Sequence, residues 1–111
     1  MGYFYLIIAI IGEVIGTISL KNSENFTHLF PTSLVIMGYG IAFYFMMLSM
    51  QTIPVAITYS IWSGVGITAI AIISAIKFGE VPDFYAVLGL LLIIAGIFVL
   101  VSLSSMGKNI N

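Results

Sequence analysis

The chain contains no cysteine, which excludes disulfides and thiolate metal sites. It is also poor in charge, with three lysines and arginines and four aspartates and glutamates. Charged residues make up 6% of the chain, against about 25% in an ordinary soluble domain. Charge this sparse excludes a soluble globular protein. The net charge of -1 points to no nucleic-acid partner. No polar stretch is long enough for a second domain, and no repeat, low-complexity tract or linker is visible. Nothing in the composition calls for a cofactor, a metal or an enzymatic reaction.

What the chain has in abundance is apolar residues, 61% of its 111 positions, collected into four long runs. The fold class they imply is an all-α integral membrane protein. A single four-helix transmembrane domain over 1–111 is expected, with spans at about 3–20, 29–50, 55–76 and 84–103. The first run lacks a basic leader, contains a glutamate and is followed by more apolar spans, so it should remain uncleaved. Short loops are expected at Lys21–Thr27, at Gln51–Pro54 and at Lys77–Asp83. Pro31 and Pro54 mark helix starts, and Pro82 precedes Asp83, the expected cap of the fourth helix. Lys21 suits the end of the first helix, and His28 and the six methionines are read as inert. The tail from Ser104 to Asn111 is expected to fray. Four spans with short loops predict an up-down-up-down bundle with both termini on one side.

Within the first run, Tyr3 to Leu20, lies one carboxylate, Glu13. Eighteen residues make a helix of about 27 Å, close to the roughly 30 Å of a bilayer's hydrocarbon. Glu13 therefore lies slightly past the middle of the membrane. An ionised carboxylate there costs at least about 2.5 kcal/mol, so it should face protein or a wet cavity. Either a proton or a bound cation removes that cost, which makes the position one where the two compete. Ala9, Ile10, Gly16 and Thr17 share its face of the helix. They leave room either for a bulky guest or for a close helix neighbour.

The second span offers Gly38, Gly40 and Ala42 for close approach, with Tyr39 and Phe43 as a phenol and a ring. On the third, Tyr59, Trp62, Ser63 and Gly66 fall on one face. Trp62 is about 10 Å into its span, too deep for a headgroup belt. Trp62 and Tyr59 are therefore read as cavity walls able to stack on a cation, while Tyr39 suits either role. Gly64-Val65-Gly66 marks a kink or a close contact. In the fourth span Gly89, Leu92, Ile93, Gly96 and Val99 make a helix-pairing face, read as the seam between subunits. Orientation is nearly undecided: Lys108 lies on the side of the termini, Lys21 and Lys77 on the other. A chain so balanced is expected to insert both ways round and so to permit an antiparallel, dual-topology homodimer.

Glu13-Val14-Ile15-Gly16-Thr17, Phe26-Thr27, Ile53-Pro54, the run Ala56 to Gly66 with Ile61-Trp62-Ser63-Gly64-Val65-Gly66, and the fourth-span glycine pattern together resemble the small multidrug resistance family. The resemblance covers essentially the whole chain. It implies a bacterial inner-membrane antiporter that exports lipophilic and quaternary ammonium cations in exchange for protons. It also implies an antiparallel homodimer in which two copies of Glu13 bind proton and substrate. Tyr39, Tyr59 and Trp62 would line the pocket with Ala9, Ile10, Gly16, Thr17 and Ser63. Gly64 and Gly66 would flex, and the fourth helices would meet. Ala42 stands where relatives often place serine. Gly16 stands where the guanidinium-exporting branch has tryptophan, and Val99, Leu100 and Val101 replace its late lysine. The rival readings are a guanidinium or polyamine exporter of the same fold, a non-transporting subunit of a membrane assembly, and half of a heteromeric transporter.

Overall fold

The computed structural model describes residues 1–108, and every long element is helical. The helices are α1 (Gly2–Asn22), α2 (Leu29–Ser49), α3 (Val55–Lys77) and α4 (Phe84–Ser102), followed by a single turn, α5 (Ser105–Lys108). The first four are each long and apolar enough to cross a membrane. Their limits lie within two residues of the apolar runs. The turn α5 corrects the expectation of a frayed tail over Ser105–Lys108, and residues 109–111 of that expectation lie outside those described.

The ends of the helices follow from the local chemistry. Asp83 caps α4 as expected, its carboxylate accepting from the Ala86 N–H at 2.8 Å. Pro54 precedes the first residue of α3 with an extended ψ of 145°. Between α1 and α2 the chain reverses through three successive left-handed residues, Glu24, Asn25 and Phe26, with φ of 46°, 62° and 65°. Only asparagine among them adopts that conformation readily. The buried Ser23 hydroxyl offsets the strain, donating to the Leu20 carbonyl at 2.7 Å and accepting from the Phe26 N–H at 3.2 Å. In the same loop His28 Nε2 lies 3.0 Å from the Glu24 carboxylate. Lys21 has a closer partner than the helix dipole alone, because its ammonium pairs with Glu80 of the α3–α4 loop. It also sits 4.8 Å from the centre of the Phe78 ring.

A closed bundle does not form. The molecule measures 45 × 35 × 17 Å, so across the helices it is about twice as wide as it is thick, a slab and not a square bundle. Helix α1 packs against both α2 and α3, and α4 packs against α3. None of the residues of α4 is buried. The reason is the chemistry of the side chains: lipid tails are as apolar as leucine, so a helix apolar all round gains little by closing onto its neighbours.

The close contact is between α1 and α2, where backbones touch. The buried stripe of α1 includes Gly2, Leu6, Ala9, Gly12, Gly16 and Ser19, and that of α2 includes Val35, Gly38, Ala42 and Ser49. A Cβ on Gly12 would lie 2.8 Å from the Gly38 carbonyl oxygen, and one on Gly38 would lie 2.7 Å from that of Gly12. At the far end of the seam the Ser49 hydroxyl donates to the Gly2 carbonyl at 3.0 Å. Gly40 faces away and has open space around it.

Gly12→Ala and Gly38→Ala should therefore each destabilise the protein by about 1–3 kcal/mol, the usual range for overpacking. Gly40→Ala should be neutral or stabilise by up to about 1 kcal/mol through helix propensity. Unfolding of the purified variants in detergent measures the difference, and equal effects at Gly40 and Gly12 would refute the backbone contact.

Candidate functional site

Glu13 projects from α1 at the level where α2 and α3 both reach it. Its Oε1 accepts a hydrogen bond from the Thr17 hydroxyl, one turn on, at 2.9 Å. The Thr17 oxygen in turn lies 2.6 Å from the Tyr39 hydroxyl of α2. A hydroxyl has one proton, so with Thr17 donating to Glu13, Tyr39 must donate to Thr17. The row of hydroxyls points at the carboxylate and supports its negative charge. If the carboxyl carries the proton on Oε1, the same row can run the other way.

The second oxygen, Oε2, is buried and without a hydrogen-bond partner. It lies against α3 at Gly66, where a Cβ would come within 2.8 Å of it. Among the described residues one other buried side-chain polar atom is unpartnered, the Trp62 indole Nε1, a donor. An acceptor-only carboxylate oxygen and an indole N–H both lack partners in one region of the molecule. Unsatisfied groups of this kind carry a cost of about 1–3 kcal/mol each, which a ligand or a proton can relieve.

Aromatic rings form a row from α2 to α3 that begins at Tyr39, the phenol hydrogen-bonded to Thr17. Tyr39 and Phe43 are stacked with centroids 6.1 Å apart. Phe43 then meets Trp62 at 6.0 Å, and Trp62 meets Tyr59 at 5.7 Å. Such a row presents ring faces that attract a cation. It is open rather than enclosed, since Tyr59 is 56% exposed. Tyr59 and Ser63 also line a groove of about 310 Å³ against Ile93 and Ile97 of α4.

The structure thus brings together Glu13, Thr17, Tyr39, Trp62, Tyr59 and Gly66, and it separates others. Of the residues on the Glu13 face, Ala9 is fully buried and Gly16 is pressed against Tyr39, where a Cβ would lie 3.3 Å from the ring. Both positions are tightly packed. Ile10 is half-buried. Ala42 is fully buried beside Gly12 in the α1–α2 seam, not in the aromatic row. Helix α3 runs unbroken through Gly64-Val65-Gly66. There Gly64 receives the Ile97 side chain of α4 and Gly66 receives the Glu13 carboxylate. On α4, Leu92, Gly96 and Val99 are exposed, Gly89 has no heavy atom near its Cβ position, and Ile93 turns toward Gly64.

Two residues were not assigned to the site by the sequence reading. Phe43 links the rings of α2 and α3, and its signal was its place one turn beyond Tyr39. Gly12 is the residue that lets α2 approach, and its signal was the four-residue spacing to Gly16.

The family model described as Small Multidrug Resistance protein matches residues 1–93. The chain is 48% identical over 103 residues to the quaternary ammonium compound-resistance protein QacE of Escherichia coli, covering 93% of this chain and 94% of that one. It is 45% identical over 107 residues to QacF of Klebsiella aerogenes, another quaternary ammonium compound-resistance protein, covering 96% and 97%. A putative ethidium bromide resistance protein of Escherichia coli is 49% identical over 94 residues, or 85% of this chain and 82% of that one. With a family match over most of its length and relatives at this level of identity, the chain belongs to the small multidrug resistance family.

Proposed function

We propose that the protein is a proton-coupled antiporter that exports lipophilic and quaternary ammonium cations, with Glu13 shared by proton and substrate. Family membership and four spans make it a multi-pass protein of the bacterial inner membrane. Relatives named for resistance to quaternary ammonium compounds and to ethidium bromide support efflux of several drugs. The observation that carries the mechanism is the carboxylate with one oxygen held by Thr17 and the other buried and unpartnered, beside a row of aromatic rings.

An ionised carboxylate in this position is costly, and either a proton or a cation relieves the cost. Each ligand therefore displaces the other, which is the whole of the coupling. A flat or quaternary cation gains further from Trp62, Tyr59 and Tyr39. Flexing of α3 at Gly64 and Gly66 would expose the site to the two sides in turn. The working unit in this reading is an antiparallel homodimer, met at Gly89, Leu92, Ile93, Gly96 and Val99. A body 17 Å thick with α4 unburied supports a second copy as the missing wall. The contact of Gly16 with Tyr39 supports organic cations over guanidinium, because a tryptophan there would have to displace the phenol.

Adding a lipophilic cation to weakly buffered purified protein should release protons, and Glu13→Gln should abolish the release. A Glu13→Gln protein that still drives cation uptake against its gradient in vesicles would sink the scheme. Trp62→Ala should weaken binding of an aromatic cation by about 0.5–2 kcal/mol, or roughly 2- to 30-fold. Its proton affinity should change less, and equal losses in the two titrations would make Trp62 merely structural. Gly66→Ala should displace the Glu13 carboxylate and reduce both proton release and cation affinity while leaving the protein folded. A variant with wild-type titrations would show that the carboxylate does not depend on that gap.

A further inference from the structure

On the loop side of the molecule, α1, α2 and α3 diverge around a crevice of about 350 Å³. Its walls are apolar, with Ile18 from α1, Phe30 and Leu34 from α2 and Ile73 from α3. Its mouth is polar, with Asn22 at the end of α1 and Lys77 at the end of α3. The lining reaches from Val14 to Asn22 along α1, about 12 Å of helix. The crevice therefore runs from within the hydrocarbon to the headgroup level. An apolar slot with a cation at its interfacial end matches one kind of molecule: an acyl chain below, an anionic headgroup above.

The charges on this side select Lys77 as the cation that is free to bind. Lys21 is engaged by Glu80 and by the face of Phe78. Glu24 is held by His28, and Asp83 caps α4. Among the described residues Lys77 has no carboxylate partner, and its ammonium lies 5.8 Å from the centre of the Phe78 ring. Lys77 is exposed and lines the mouth of the crevice, where an anionic group entering from the headgroup level can reach it. The positive charge also disfavours the lipophilic cations of the transport site, so the crevice is not a second entrance for them.

We infer that this crevice binds an anionic phospholipid, one acyl chain lying between Ile18, Leu34 and Ile73 and the phosphodiester resting on Lys77 and Asn22. The occupant is a lipid and not a soluble phosphate, because most of the slot is apolar. The inference stands apart from the transport mechanism.

Native mass spectrometry of the full chain, purified in detergent and supplied with lipids of matched chains, tests it. Dioleoylphosphatidylglycerol should remain attached in preference to dioleoylphosphatidylcholine. Lys77→Gln should lower the phosphatidylglycerol adducts about fivefold, the effect of one lysine near an anionic headgroup. Leu34→Trp, which fills the slot, should lower the adducts of both lipids, while Lys108→Gln at the opposite end should change neither. Equal retention of the two lipids by the wild type would overturn the proposal. So would an equal loss in Lys77→Gln and Lys108→Gln, which would mean that surface charge alone attracts the lipid.

Discussion

A carboxylate placed in hydrocarbon must be answered by something, and the arrangement of α1, α2 and α3 is largely that answer. Thr17 and Tyr39 serve one oxygen of Glu13 through a row of hydroxyls. The row exists only because α2 lies close enough for a phenol to reach across. That closeness rests in turn on Gly12 and Gly38, whose backbones meet with no side chain between them. The other oxygen depends on a further missing Cβ, at Gly66 of α3. Three glycines on three helices thus decide where one acidic group can sit.

Outside this region the molecule is loosely joined. The loop side is held by paired charges, Lys21 with Glu80 and Glu24 with His28. Exposed pairs contribute little to stability, about 0–1 kcal/mol each. Their effect here is to place the α3–α4 loop over the end of α1 and, among the described residues, to leave Lys77 without a carboxylate partner. Helix α4 meets α3 chiefly through Ile97 and Ile93 against Gly64, with the rest of its surface outward. Packing is concentrated in the α1–α2 pair and is sparse at α4.

Much of this was legible in the sequence, because the signals concerned are local. Apolar runs of about twenty residues fix the spans, Asp83 after Pro82 fixes a cap, and the one-turn spacing puts Thr17 on the face of Glu13, where the structure shows the hydrogen bond. Tyr59 and Trp62 were correctly read as neighbours from their spacing. What stayed hidden was which face of each helix meets which neighbour. In a soluble protein a polar face would reveal this, but these helices are apolar all round and carry no such stripe. Hence loop lengths predicted the up-down order of the spans but not how openly they lie as a slab. For the same reason Ala9 and Gly16 were left open between a cavity and a seam, and Phe43 was read as a ring without a place in the site. The pairing of Lys21 with Glu80 joins positions far apart in the chain, and no local pattern announces such a contact.

The thinness of the body has an evolutionary corollary. Where most side chains meet only acyl chains, leucine, isoleucine, valine and phenylalanine are nearly interchangeable, and selection has little to grip. Constraint gathers instead on a handful of positions that lack bulk or carry oxygen. A lineage of such proteins can drift across most of its length while its working parts stand still. Homologues of modest overall likeness can then perform one task, and a few replacements beside the carboxylate can redirect it.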